Sequence, residues 1–237
     1  MIFNQGTADQ VAALQGVSAT IEDGEFISLI GPSGCGKSTL LRLVGDLLSP
    51  TAGSIEVFGK PGMAFQQAGL FDWRKVAANI ELPLELMGMS KSERSKRSSE
   101  MLELVKLGDF GDHYPWQLSG GMQQRVAIAR SLAFSPRLLL MDEPFGALDE
   151  MTREHMQSEL LGIYDDLGTT IVFVTHSISE AVYLSNRVIV LSPRPGRIHS
   201  IIDVDLGPRS DETRESAEFF KKTTEVREAL RAVEASE

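Results

Sequence analysis

Gly31-Pro32-Ser33-Gly34-Cys35-Gly36-Lys37-Ser38-Thr39 fills the pattern G-x-x-x-x-G-K-[ST]. Before it, Phe26-Ile27-Ser28-Leu29-Ile30 is short, apolar and rich in β-formers; after it, Leu40, Leu41, Leu43, Val44 and Leu47 recur at helical spacing and predict a helix from Lys37 to about Leu48. A plain glycine turn joining strand to helix needs neither the Lys-Ser pair nor this spacing. A triphosphate has to be met at close range by many donors with no bulky side chain between. Gly31, Gly34 and Gly36 allow positive φ and inward-facing N–H groups, and the helix contributes its positive end. Within the candidate loop Gly31 to Thr39, Lys37 is expected to reach the β- and γ-phosphates, Ser38 to ligate Mg²⁺ and Thr39 to bond an α-phosphate oxygen. Pro32, Ser33 and Cys35 complete the loop, Cys35 as a small filler and not a nucleophile or metal ligand.

At 237 residues the chain suits one α/β unit carrying an inserted subdomain. Its longest apolar runs, Leu138-Leu139-Leu140-Met141 and Ile171-Val172-Phe173-Val174, are strand-sized, far below the roughly twenty residues that span a bilayer. No basic segment followed by an apolar one stands at Met1, and a single cysteine cannot form an internal disulfide, so a reducing cytoplasm is expected. A net charge of −10 argues against nucleic acid as a partner.

Taken in order, strands are expected at Gly16–Ile21, Phe26–Ile30, Ser54–Gly59 and Met63–Phe65, giving a β-rich first third. From Lys75 to Gln124 the texture turns helical: Val76, Ile80, Leu84 and Met87 mark one face, and Ser90-Lys91-Ser92-Glu93 fits a capping box. The charges from Lys91 to Glu103 read as a solvated helix face. Then strand and helix alternate, with strands at Arg137–Asp142, Thr170–Thr175 and Arg187–Leu191 and a helix from Asp149, its N-cap, to Leu167; this alternation means a parallel sheet. A strand or hairpin edge at Arg197–Leu206 and an amphipathic helix over Asp211–Ala235, with Phe220, Val226, Leu230 and Val233 inward, close the chain.

Leu138-Leu139-Leu140-Met141-Asp142-Glu143 is an apolar strand ending in two carboxylates, which alternation points in different directions. Beside a phosphate loop, Asp142 suits the Mg²⁺ shell through a bound water and Glu143 suits a general base for water attacking the γ-phosphate. In Leu118-Ser119-Gly120-Gly121-Met122-Gln123-Gln124-Arg125, Ser119 opens a helix whose first N–H groups, beside two glycines, form a second anion site.

That last stretch resembles the signature motif of ATP-binding cassette (ABC) ATPases, and the resemblance extends over nearly the whole chain. It implies an α/β P-loop NTPase of the ABC nucleotide-binding type: a mostly parallel core sheet, an antiparallel β subdomain and an inserted helical subdomain. The expected organisation is a single domain over 1–237, with the helical subdomain at about 75–124 and a C-terminal strand and helix at about 197–236. In the family two cassettes pack head to tail, so ATP would lie between Lys37 of one copy and Ser119, Gly120, Gly121 and Met122 of the other. Met122 stands where glutamine is the more frequent residue. By the same resemblance Gln66 is the glutamine that touches Mg²⁺ and the attacking water and senses a transmembrane partner. Gly146-Ala147-Leu148-Asp149 is similar to the loop that crosses the dimer interface, and His176 to the switch histidine at the γ-phosphate. Phe3, in the loop before the Val11 segment, is the candidate for stacking on adenine, and Asn186 replaces the aspartate usual in Leu-Ala-Asp-Arg, with loss of a charge but not of activity.

With no membrane segment expected, transport would fall to separate permease subunits docking near Gln66–Asn79, where Leu70, Phe71 and Trp73 lie. The stretches Gly69–Arg74, Leu118–Met122 and Leu191–Ile198 resemble the nitrate/sulfonate/taurine importer group, which implies import of a small, often anionic solute delivered by a binding protein, from the cytoplasmic face of the inner membrane. Three alternatives are an ABC subunit for export or lipid movement, a soluble ABC ATPase acting on DNA or ribosomes, and a small-molecule phosphotransferase. The second would carry a coiled-coil insertion or tandem cassettes, absent from this sequence; the third leaves Ser119-Gly120-Gly121 and His176 without a role.

Overall fold

The computed structural model describes residues 1–7, 9–146 and 148–235. Its elements run β1 (Ile2–Phe3), β2 (Val11–Ala12), β3 (Phe26–Ile30), α1 (Lys37–Val44), β4 (Gly62–Phe65), α2 (Val76–Leu86), α3 (Lys91–Leu104), α4 (Gly120–Leu132), β5 (Leu138–Asp142), α5 (Glu150–Leu167), β6 (Thr170–Val174), α6 (Ile178–Leu184), β7 (Arg187–Leu191), β8 (Ile198–Asp203) and α7 (Ala217–Glu234). They fall into two compact units. One comprises the chain up to Phe58 and from Thr170 onward, the other Gly59–Thr169.

The first unit is built on β3, flanked by parallel β6 and β7, with β8 antiparallel beyond β7. All of β3 and β6 and all but the first residue of β7 are buried, as continuous apolar runs of a parallel sheet should be. The polar atoms at the sheet's rim are satisfied locally. The Phe26 N–H donates to Asn186 Oδ1 at 2.9 Å, the Gly24 N–H to Thr170 Oγ1 at 2.9 Å, and the Arg187 guanidinium to Glu25 Oε2 at 2.9 Å. Asn186 therefore has a backbone partner that needs an acceptor and not a charge. Helix α6 packs on β3, and α7 packs on α6, β7 and β8.

Register positions the chemistry. Leu29 lies opposite Val174 on one side, and Ile30 opposite Val190 on the other. The chain therefore leaves β3 at Gly31, β6 at Thr175 and β7 at Ser192 from the same sheet edge, at the C-terminal ends of parallel strands where ligands of such sheets bind.

Several expectations are corrected. Gly16–Ile21 and Ser54–Gly59 form no strands. Local β composition does not suffice without a neighbouring strand to take the backbone N–H and C=O groups. Val17, Ile21 and Ile55 instead line a cavity of about 200 Å³ with Leu29, Leu41 and Val44. The first antiparallel pair is β1 with β2, in which Phe3 lies opposite Val11, so Phe3 stands in a strand and not in a loop. Helix α1 ends at Val44, four residues early, with Asp46 in the left-handed region at φ +55°. In α7 the buried face is Phe219, Thr223, Val226 and Val233, so Val226 and Val233 face inward as expected, whereas Phe220 is exposed and Phe219, whose N–H donates to the capping Ser216 Oγ at 3.1 Å, takes its place.

In the second unit β4 and β5 pair in parallel, with Phe65 opposite Asp142. Helices α2, α3 and α4 pack on one another, and α4 packs on β4. The fit is close at Gly62, where a Cβ would stand 2.4 Å from the Ser131 carbonyl oxygen. The capping box at Ser90 is present in both directions: Glu93 N–H donates to Ser90 Oγ, and Ser90 N–H to Glu93 Oε2 at 3.0 Å. Helix α2 buries Val76, Asn79, Ile80 and Leu84, whereas Met87, just past its end, is exposed. Among the described residues no helix is long and apolar enough to cross a membrane.

Candidate nucleotide site

In the candidate phosphate loop two of the three expected glycines, Gly34 and Gly36 but not Gly31, take positive φ. Gly34 has φ +76° and Gly36 φ +105°, both left-handed, and Gly36 N-caps α1 with no side chain in the way. A Cβ on Gly36 would come within 2.7 Å of Leu14 Cδ2, so glycine is required there on steric grounds as well. Lys37 is buried, with its ammonium donating to the Gly31 carbonyl at 2.8 Å and the Pro32 carbonyl at 3.1 Å. A buried cation must be met by hydrogen-bond acceptors, and here the loop's own carbonyls meet it. Cys35 is buried beneath the loop, and its N–H donates to the Pro32 carbonyl at 3.3 Å. Ser38 and Thr39 lie in the first turn of α1, where backbone N–H groups lack intrahelical partners.

On the adjoining strand, the turn after β6 carries His176, which is exposed. Thr175 fixes that turn: its hydroxyl accepts from Ser177 N–H at 2.9 Å and donates to the Glu180 carboxylate, while Ser177 caps α6. The first unit thus brings His176 out beside Gly31. Phe3, half-buried in β1, belongs to a hairpin tied to the segment that contacts Gly36, since the Met1 amino group donates to the Leu14 carbonyl.

In the second unit the β4–β5 register brings Gln66 and Glu143 out of the sheet side by side. Glu143 has φ +47°, unusual for a residue with a Cβ, and the backbone turns sharply there, with Gly146 N–H donating to the Glu143 carbonyl at 3.1 Å. Gln66 packs into this turn, its amide nitrogen 3.0 Å from where a Cβ on Gly146 would be. Gln66, Asp142 and Glu143 therefore form one cluster. Of the loop Gly146-Ala147-Leu148-Asp149, Ala147 lies outside the described residues. Asp149 N-caps α5: its Oδ1 accepts from Thr152 N–H at 3.1 Å, and this bond holds its carboxyl below the usual aspartate range.

Ser119 N-caps α4, its Oγ accepting from Met122 N–H at 3.3 Å. Ser119 and Gly120 are exposed, and nothing lies within 4 Å of a Cβ built on Gly120, so the start of the helix is open. A Cβ on Gly121 would lie 3.1 Å from Thr152 Cγ2, which places this open end next to the capped end of α5 and Asp149.

Supporting residues escaped the sequence reading. Gln124 Nε2 donates to the Phe65 carbonyl at 3.0 Å, and Arg130 to the Ala68 and Gly69 carbonyls at 2.8 Å each, so α4 holds both sides of Gln66. Burial lowers the Arg130 pKa. Asn79, fully buried, bonds Phe71 N–H and O, Arg74 O and Lys75 O, and so shapes the loop carrying Phe71 and Trp73. The loop partners of Gln124 and Arg130 lie 59 to 62 residues away in sequence, whereas those of Asn79 lie within 8.

A family model described as "ABC transporter" matches residues 14–146. The chain is 48% identical over 205 residues to the taurine import ATP-binding protein TauB of Yersinia pestis, covering 83% of this chain and 80% of that one. It is 45% identical over 248 residues to the nitrate import ATP-binding protein NrtD of Synechocystis sp., covering 98% and 93%. Among solved structures, the dimeric post-hydrolysis state of an ATP-binding cassette bound to ADP and Pi superposes with a TM-score of 0.74 at 37% identity, covering 86% of this chain and 95% of that one. A phosphate loop of this shape, on a chain so similar over most of its length to ATP-binding cassettes, identifies the chain as a member of the ABC transporter family, an ATP-hydrolysing cassette subunit.

Proposed function

We propose that this cassette powers import of a small, often anionic solute of the taurine/nitrate/sulfonate type through a separate permease, to which a solute-binding protein delivers. The observation that carries this reading is the similarity to TauB and NrtD, proteins named for import of such solutes, over most of the chain. The whole chain, 1–237, acts as one cassette, lies on the cytoplasmic side of the inner membrane, and meets the permease through Gln66–Asn79, where Trp73 is exposed.

Two copies close head to tail on two ATP molecules. The amides of Gly31 to Thr39 and the Lys37 ammonium bind the phosphates of one nucleotide, and Phe3 stacks on its adenine. The open helix end at Ser119, Gly120, Gly121 and Met122 of the other copy meets the γ-phosphate, with Asp149 beside it. Ser38, Gln66 and Asp142 offer hydroxyl, amide and carboxylate oxygens, the hard donors Mg²⁺ takes. Among the described residues no group of three or more His, Cys or carboxylate side chains is placed to hold a metal ion by itself. By their chemistry Ser38, Gln66 and Asp142 would suit an ion that draws the rest of its shell from phosphate and water. Bound there, Mg²⁺ would neutralise charge on the phosphates. Glu143 takes the proton of the attacking water, Gln66 positions that water, and His176 bonds the γ-phosphate oxygens as charge develops.

Uptake tests the reading. Cells lacking this chain should take up labelled taurine, nitrate or alkylsulfonate more slowly. Wild-type chain should restore the rate for one of them, and Lys37→Ala should not. Equal uptake of all three with and without the chain contradicts the assignment.

A further inference from the structure

The turn after β7, Ser192-Pro193-Arg194-Pro195-Gly196, takes no part in the function described above, yet it lies directly against the phosphate loop. Arg194 Nε donates to the Gly34 carbonyl at 3.4 Å, and its Nη2 stands 3.2 Å from where a Cβ on Gly34 would be. A Cβ on Gly196 would stand 2.0 Å from the Cys35 carbonyl oxygen, so the two backbones touch there. A Cβ on Gly31 would lie 2.8 Å from the Leu191 carbonyl oxygen. Two residues of the loop, Gly34 and Cys35, thus rest on this turn, and a third, Gly31, on the end of β7.

The turn is itself braced. Gly196 N–H donates to the Ala13 carbonyl at 2.9 Å, Gln15 N–H to the Gly196 carbonyl at 3.0 Å, and Arg197 to Gln15 Oε1 at 2.6 Å. Ser192 Oγ accepts from Arg197 N–H at 3.1 Å. Arg194 differs from Arg197 in what it holds. Arg197 fixes the turn to the segment behind it, whereas the side chain of Arg194 reaches the phosphate loop. Among the described residues no carboxylate pairs with the Arg194 guanidinium, so its charge stays uncompensated beside an anion site.

We propose that Arg194 is a positioning residue of the nucleotide site: it holds the Gly34 carbonyl and so keeps the glycine-rich loop in the shape that receives phosphates. The Gly34–Cys35 peptide lies between the two left-handed glycines, Gly34 and Gly36. A hydrogen bond to that carbonyl from its outer side favours the observed orientation of the peptide. The cost of ordering the loop is then met before nucleotide arrives, which shows as affinity. The proposal rests on the reading of Gly31–Thr39 as the nucleotide site.

Equilibrium titration of the full chain with a fluorescent ATP analogue, alongside thermal unfolding without nucleotide, tests it. Arg194→Ala should weaken binding roughly three- to tenfold, the range of one such hydrogen bond, with no matching fall in the unfolding midpoint. Arg194→Lys, which keeps a donor and a charge, should recover part of the loss. Arg197→Ala should lower the midpoint while leaving affinity near wild type. In hydrolysis, Arg194→Ala should raise KM by a larger factor than it lowers kcat. Wild-type affinity in Arg194→Ala overturns the proposal, as does a loss that follows the midpoint equally in Arg194→Ala and Arg197→Ala. Lys37→Ala separates the two readings: if it binds as tightly as wild type, the nucleotide-site assignment itself fails; if it loses binding while Arg194→Ala does not, only the role of Arg194 falls.

Discussion

The Lys37 ammonium donates to the Gly31 carbonyl oxygen at 2.8 Å, so the cation we propose for phosphate is held by the loop that carries it. Nucleotide must draw it from two neutral carbonyls to a charged oxygen, and charge-assisted bonds are the stronger. Lys37→Ala should therefore weaken ATP binding by at least about tenfold, the equivalent of one charged hydrogen bond, as measured by calorimetric titration. The loop should stay folded, because its glycine conformations do not depend on the lysine.

Gln66 and Gly146 share one turn. A methyl on Gly146 would lie 3.0 Å from the Gln66 amide nitrogen, tighter than an ordinary contact, and would displace that amide. Gly146→Ala should reduce kcat, by up to about a hundredfold if the water is misplaced by an ångström, with nucleotide affinity nearly unchanged. Steady-state hydrolysis together with direct binding separates the two effects.

Gly62 and Gly120 differ in what surrounds them. At Gly62 a Cβ meets the Ser131 carbonyl at 2.4 Å; at Gly120 it meets nothing within 4 Å. Gly62→Ala should destabilise the chain by about 1–3 kcal/mol through overpacking, and Gly120→Ala should cost no stability, read from denaturant midpoints.

The Glu93 carboxyl accepts from the Ser90 hydroxyl and backbone N–H, which lowers its pKa below the usual glutamate range. Its folded pKa is thus depressed. The capping contribution is fully present above the unfolded value and is lost as pH falls through the folded one. Glu93→Gln should accordingly flatten the acid side of the stability profile, and its difference from wild type should shrink below that folded value, followed by circular dichroism.

What was legible in the sequence was what is local. The loop Gly31–Thr39, the caps Ser90, Ser119 and Asp149, and the buried strands Phe26–Ile30 and Arg187–Leu191 each carry their cause within a few residues, and all are present. The strands expected at Gly16–Ile21 and Ser54–Gly59 are not, because a strand needs a partner and composition does not supply one. In α7 the expected inward residues Val226 and Val233 are buried, but at the first turn Phe219 and not Phe220 faces inward, which the apolar spacing alone did not distinguish. Arg194 was invisible for a third reason: its contact lies 160 residues away along the chain, and only the parallel register of β3 with β7 brings the two turns together.

Catalysis in a site shared between two copies is the central claim, and Glu143→Gln tests it most directly. In the proposed mechanism the water loses its base while every phosphate contact remains. Size-exclusion chromatography with light scattering on this variant should show monomer without nucleotide and dimer with ATP–Mg²⁺, and turnover should be nearly abolished. A variant that binds ATP yet stays monomeric, or that hydrolyses at the wild-type rate, contradicts the account.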